Sequence, residues 1–150
     1  MRIPLSFSLL FALTTGCTAA KANLAEPPRK EFSMRTYYMA FLRRGPAWTK
    51  ERTPEAMAAS KGHMDNIQRL GRCGKLLIAG PFDAGANAGK DALAGIFIFD
   101  VPSLEEAEAL ARMDPAVQAG RFTVEVMPWF GPAGLTYDGR VPADPNARCD

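Results

Sequence analysis

Apolar residues along the chain recur with two periods, and the places where one gives way to the other divide residues 34–131 into strands and helices. Residues 35–44 form an aromatic and aliphatic run closed by Gly45-Pro46, which predicts a strand. Thr53-Pro54-Glu55 then supplies an N-cap, a proline at the first helical position and an acid in the first turn, where the helix dipole favours it. The helix that follows runs to about Arg72. On its wheel Ala56, Met57, Ser60, Met64, Ile67, Leu70 and Gly71 gather on one arc, opposite Lys61, Asp65, Arg69 and Arg72. Gly71 and Gly74 stop it, and residues 75–79 read as a second strand ending at Gly80-Pro81.

Residues 82–91 are rich in Gly, Ala, Asn and Asp and lead into the apolar run 93–99, so a hairpin with a longish loop is expected. Ser103 with Glu106 forms a capping box for a second helix reaching about Arg112, and Asp114-Pro115 ends that helix or begins a short turn. In residues 122–130, Phe122, Val124 and Val126 alternate with Thr123 and Glu125, the period of a half-buried strand. Gly, Pro, Asp and Asn dominate residues 132–150, which should be irregular unless Cys149 pins them.

Strand, helix, strand, strand, helix, strand is the ferredoxin-like βαββαβ order, an α+β fold with two helices on one face of a four-stranded antiparallel sheet. The other face would expose apolar side chains, and a layered domain covers such a face with something. A homodimer formed through that face is the expected solution.

Ahead of this domain the pattern is different. Arg2 begins a minimal positive region and residues 3–13 are uncharged and mostly apolar, a run too short for the roughly 20 residues that span a bilayer. Residues 1–17 are therefore expected to be a signal peptide. Thr14-Thr15-Gly16-Cys17 resembles a bacterial lipobox, although Thr14 stands where Leu is preferred, so lipidation of Cys17 is the favoured expectation. Ordinary cleavage after Ala20-Lys21-Ala22 is the alternative. With a lipid on Cys17, residues 18–33 would be a flexible tether, and the protein would touch a membrane only through that anchor. The cell envelope or periplasm is the expected location, and secretion follows if the anchor is absent.

Charge and cysteines narrow the chemistry. Eighteen Lys and Arg against sixteen Asp and Glu, with both signs scattered, give no basic stripe for nucleic acid. One histidine and no Cys-x-x-Cys pair suggest no metal site. In an oxidising compartment Cys73 and Cys149 could form a bridge, and two unrelated thiols fit the sequence as well. Gly85 to Asp91 imitates a phosphate loop, but it has three residues between its glycines and Asp91 where Ser or Thr would hold magnesium. No cofactor is expected.

His63, the lone histidine, falls at the border of the helix's apolar arc. An imidazole titrates near pH 6.5 in water, so modest burial or a carboxylate would poise it as an acid or base. A partly buried histidine with a packing role fits the same position. Asp114, in the turn before Pro115, is the natural carboxylate partner, although Asp before Pro is also an ordinary turn residue. Ser60, one helical turn from His63, does not make a hydrolase signature. Tyr38, Trp48 and Trp129 are candidates for a pocket wall, with Gly80 and Pro81 setting a bend beside it, and all five serve equally well as core or turn.

Several segments in order carry a resemblance: Thr53-Pro54-Glu55, His63, Gly74-Lys75-Leu76-Leu77-Ile78-Ala79-Gly80-Pro81, Ser103-Leu104-Glu105-Glu106-Ala107, Asp114-Pro115-Ala116-Val117-Gln118-Ala119-Gly120 and Pro128-Trp129. Together they resemble the YCII-related (YciI-like) domain family, which belongs with the dimeric α+β barrel proteins and is similar in fold to muconolactone isomerases. The resemblance covers residues 35–130. It implies that His63 and Asp114 match the pair regarded as that family's active site, where some relatives remove chloride from hydroxylated aromatic rings. It also implies a small-molecule ligand and lyase- or isomerase-like chemistry. A non-catalytic binding or envelope-associated module on the same fold is the competing expectation.

Overall fold

The computed structural model describes residues 33–83, 89 and 92–149. The expected signal peptide, Cys17 and all of the linker except Ser33 lie outside the described residues, as does most of the glycine-rich loop.

Four strands and three helices form in the order β1 (Met34–Arg44), α1 (Pro54–Arg72), β2 (Leu76–Pro81), β3 (Leu93–Phe99), α2 (Leu104–Arg112), α3 (Pro115–Gln118) and β4 (Phe122–Pro132). The sheet order is β2-β3-β1-β4 with antiparallel neighbours throughout, the ferredoxin-like arrangement. The caps act where the sequence puts them: Thr53 accepts from the Ala56 amide at 3.2 Å and Ser103 from the Glu106 amide at 3.2 Å. Asp114-Pro115 does more than end α2. It opens a third helix, because Asp114 caps the free amides and Pro115 already holds a helical φ.

Alternation sorts the strand residues between two faces. Ala40, Leu42, Phe97 and Phe99 enter the main core beneath the helices, where they meet Leu70, Ala107, Leu110 and Ala111. Phe122, Val124 and Val126 of the edge strand β4 pack against the same core, as their spacing predicts. The opposite face holds a second cluster of Tyr37, Leu77 and Ile98, with Met39, Ile96, Trp129 and Leu135 around it.

The wheel of α1 requires correction. Its buried residues are Ala56, Ala59, Asn66 and Leu70, whereas Met57 and Met64 are 49% and 52% exposed. A stripe spaced by three and four residues through Ala56, Ala59, His63, Asn66 and Leu70 faces the protein. Two alanines let the helix sit close, and the buried Asn66 is tolerated because its amide is hydrogen-bonded at both ends.

Residues beyond β4 contain no further helix or strand among those described, yet they are tied down. Tyr37 donates its hydroxyl to the Pro132 carbonyl at 3.0 Å and accepts from the Leu135 amide at 3.3 Å. A disulfide joins Cys149 to Cys73, the C-cap of α1, with Cα atoms 5.8 Å apart. The main chain of Asp144 also donates to the Arg72 carbonyl at 2.8 Å.

Candidate active site

The path of α1 past α3 sets up the site. At Gly62 the two helices approach so closely that an added Cβ would lie 2.8 Å from Pro115 Cβ. Absence of a side chain there brings the next residue, His63, alongside the N-cap of α3. Its Nδ1 lies 2.9 Å from both carboxylate oxygens of Asp114, 51 residues further along the chain.

Asp114 has no solvent exposure and accepts from three donors. Beside His63, they are Asn66 Nδ2 at 2.9 Å from Oδ2 and the Ala116 amide at 2.9 Å from Oδ1. Burial alone would raise its pKa, but hydrogen bonds from His63 and Asn66, the charge of His63 and the Ala116 amide outweigh it. The carboxyl is therefore held below the usual carboxylate range. Asp114 is an anion at neutral pH and can only accept, so the His63 Nδ1 carries a proton. In the neutral ring Nε2 is then left with an open lone pair.

Two aromatic rings fix the plane of the imidazole. Phe97 stacks at 5.6 Å between centroids and 23° between planes, and Phe122 stands tilted at 5.4 Å. The side chain of His63 remains 18% exposed, and that exposure opens on a cavity of about 370 Å³. Leu42, Ile67, Phe97 and Phe122 supply apolar walls, and among the described residues Ser60 is the other hydroxyl-bearing or ionisable side chain on the lining beside His63. Small residues Ala79, Gly80, Ala94 and Gly95 form the end provided by β2 and β3. At Gly95 a Cβ would meet the Gly80 carbonyl oxygen at 2.5 Å, so the strand surface there stays without a side chain and the space stays open.

The structure thus brings together His63, Asp114, Gly80 and Pro81, together with Ser60. It places the three candidate wall aromatics elsewhere. Tyr38 packs into the main core under the helices. Trp48 lies in the turn after β1, covered by the Arg44 guanidinium 4.1 Å from its ring centroid. Trp129 sits on the opposite face of the sheet, 5.9 Å from Tyr37, because alternation along β4 turns it away from Phe122. Sequence reasoning missed Gly62, Asn66, Phe97 and Phe122. Asn66 had a signal, since it is the polar member of the stripe shared by Ala59, His63 and Leu70. The other three depend on which elements meet. Among the described residues, no three His, Cys, Asp or Glu side chains gather as metal ligands would.

No curated protein matches the chain in sequence. Among solved structures, 5-chloro-2-hydroxyhydroquinone dehydrochlorinase from Burkholderia phenoliruptrix AC1100, in complex with 2,5-dihydroxybenzoquinone, is 20% identical, with a TM-score of 0.42 over 62% of this chain and 92% of its own. The YCII-related domain matches residues 36–130, from the second residue after the start of β1 nearly to the end of β4. That match spans more than half of the sequence and both halves of the site, and the chain belongs to the YCII-related domain family.

Proposed function

We propose that the protein is a small-molecule enzyme of lyase or isomerase type in which His63 acts as the general base. One observation carries this reading: an imidazole held through Nδ1 by a fully buried carboxylate, with its ring on the wall of an apolar cavity. Asp114 keeps the tautomer that leaves Nε2 free and stabilises the imidazolium once a proton arrives. A cavity of about 370 Å³ is in the range of small-ligand sites and fits a compact, mostly apolar molecule of single-ring size. After abstraction the same nitrogen can return the proton to a neighbouring atom of the ligand or to a leaving group.

The test is turnover and proton exchange into deuterated water over a panel of hydroxylated aromatic rings, quinones and unsaturated lactones, with His63→Ala as control. Loss of general-base catalysis is expected to lower the rate by about 10²-fold or more. Unchanged turnover in His63→Ala would overturn the assignment. A binding module without chemistry draws support from the paucity of polar side chains on the lining, where Ser60 and His63 are the two that carry a hydroxyl or an ionisable group among the described residues. Saturable binding with no exchange at any pH is its signature.

Export, a lipid on Cys17 and a homodimer belong to the same proposal. The Cys73–Cys149 disulfide supports an oxidising location, and the apolar cluster on the outer sheet face supports the dimer. Mass spectrometry of the mature N-terminus decides lipidation, and an unmodified start beyond Cys17 would refute it.

A further inference from the structure

The carboxylate that holds His63 is itself held from behind. Asn66 donates to Asp114 Oδ2 at 2.9 Å, and the Asn66 carbonyl accepts from Arg69 Nη2 at 2.9 Å. The other guanidinium nitrogen of Arg69, Nη1, donates to the main-chain carbonyl of Cys149 at 2.8 Å. Cys149 is fixed to the end of α1 by its disulfide to Cys73. A continuous line of hydrogen bonds therefore runs from the C-terminal segment through Arg69, Asn66 and Asp114 to His63.

We infer that Asn66 and Arg69 are positioning residues for the His63–Asp114 pair, and that the disulfide-tied C-terminal segment orients Arg69. The inference rests on the reading of His63 as the base and adds what sets its proton affinity. Each step has a stated cause. Asn66 is 7% exposed, and its amide can turn only one way: its NH2 must face the carboxylate and its oxygen the guanidinium. The orientation of Asn66 is thus dictated by charges at both ends. Arg69 presents two parallel donors, so one guanidinium can serve Asn66 and Cys149 together without changing rotamer. Its positive charge polarises the Asn66 amide and is relayed through it toward the Asp114–His63 pair, where it opposes a second positive charge on the ring.

The groups that face His63 among the described residues come from four elements. Asp114 from the α2–α3 junction is its titrating partner, β3 and β4 present Phe97 and Phe122, and α1 contributes Asn66 and, behind it, Arg69. Removing the Arg69 charge or letting it swing into water should consequently raise the pKa of His63. A structural role for Arg69 in fastening the tail predicts lower stability and no change at the imidazole.

Because the chain has one histidine, the nitrogen shifts of a histidine-labelled sample report His63 without assignment. The experiment titrates those shifts in the oxidised protein, in Arg69→Gln, in Asn66→Leu and in Cys149→Ser, using amide spectra to check the fold. The expected midpoint rises by about 0.5 unit in Arg69→Gln and by less in Cys149→Ser, where Arg69 remains but loses its carbonyl acceptor. In Asn66→Leu the neutral ring should lose its single tautomer and show exchange between Nδ1–H and Nε2–H forms. If Arg69→Gln or Asn66→Leu fails to fold, Cys149→Ser and the reduced wild-type protein make the same comparison with all three side chains of the line intact. A midpoint and tautomer unchanged from the oxidised wild type in the folded variants would overturn the inference. The readout is the imidazole itself, so an absence of turnover counts against the enzyme reading alone.

Discussion

On the helix-covered face of the sheet, Ala40 and Leu42 of β1 and Phe97 and Phe99 of β3 are buried to within 2% of complete exclusion, and the cavity at His63 is a local exception. On the opposite face, Tyr37 and Ile98 are buried at 1% and 5%, but Met127 of β4 is 41% exposed. Both faces come from one alternation, and they differ in what was laid over them. Three helices cover one, and among the described residues only the segment around Leu135 reaches the other. A space left under helices is enclosed on several sides and can be furnished with an oriented polar group, which is what α1 and α3 do with His63 and Asp114. An open sheet surface offers area without enclosure, so it suits association better than chemistry.

That contrast is most sharply broken at Asp114. Asp114→Ala leaves His63, Asn66 and the Ala116 amide without an acceptor and removes the cap of α3, and a loss of about 3 kcal/mol is expected. The measurement is a urea unfolding curve, in which the midpoint should fall at an unchanged slope. No residue of the outer face binds three donors through one side chain among the described residues, and no single truncation there should match this cost.

Acid probes the same group without mutation. The Asp114 carboxyl is lowered in the folded protein, so the native state binds fewer protons than the unfolded chain in the window between the two pKa values. Its contribution to stability is complete above the unfolded value of about 3.9 and is lost as pH falls through the folded one. The stability difference between wild type and Asp114→Asn should be present at about pH 4 to 5 and shrink as pH falls below about 4. A difference already lost in that upper range would contradict the lowered value.

Two glycines compare the faces by steric means. Gly62→Ala sets a Cβ 2.8 Å from the rigid ring of Pro115 at the α1–α3 contact. Gly131→Ala sets one 2.5 Å from the far edge of the Trp129 ring on the open face. The first distance is the longer, yet the proline cannot turn aside and the indole can. Gly62→Ala should cost about 2 kcal/mol and disturb the His63 nitrogen signals, whereas Gly131→Ala should cost below about 1 kcal/mol and leave them alone. Equal costs would mean that the indole is as constrained as the helix contact.

What the sequence reveals follows the same division. Strand alternation and the caps at Thr53 and Ser103 are local, and they place every strand and the starts of α1 and α2 within a residue or two. His63 and Asp114 are visible as candidates because their residue types are rare or set in a turn, and family resemblance pairs them. Gly62, Phe97 and Phe122 are silent in one dimension, since a close helix contact and a ring stack exist only after distant elements meet. Arg69 misleads, because its wheel position predicts solvent while its long side chain reaches back to Asn66 and Cys149. Trp129 misleads in the opposite sense: an aromatic in the matching segment suggests a pocket wall, and strand parity sends it to the other face.

The smallest expected effect on stability is at Met127, and it is the sharpest test of the open face. Met127 pairs with Met39 across β1 and β4, is 41% exposed, and lies between Glu125 and Trp129 on the same face of an edge strand. A charge there meets water in the isolated chain, so Met127→Glu should change monomer stability by less than about 0.5 kcal/mol. In a homodimer built on this face the same carboxylate is buried against its symmetry mate, and like charges facing each other across a twofold axis oppose association. Sedimentation or light scattering should therefore give a dimer mass for the wild type and a monomer mass for Met127→Glu at equal concentration. A wild type that is already monomeric would overturn the dimer, while the His63–Asp114 contact, made within one chain, would stand.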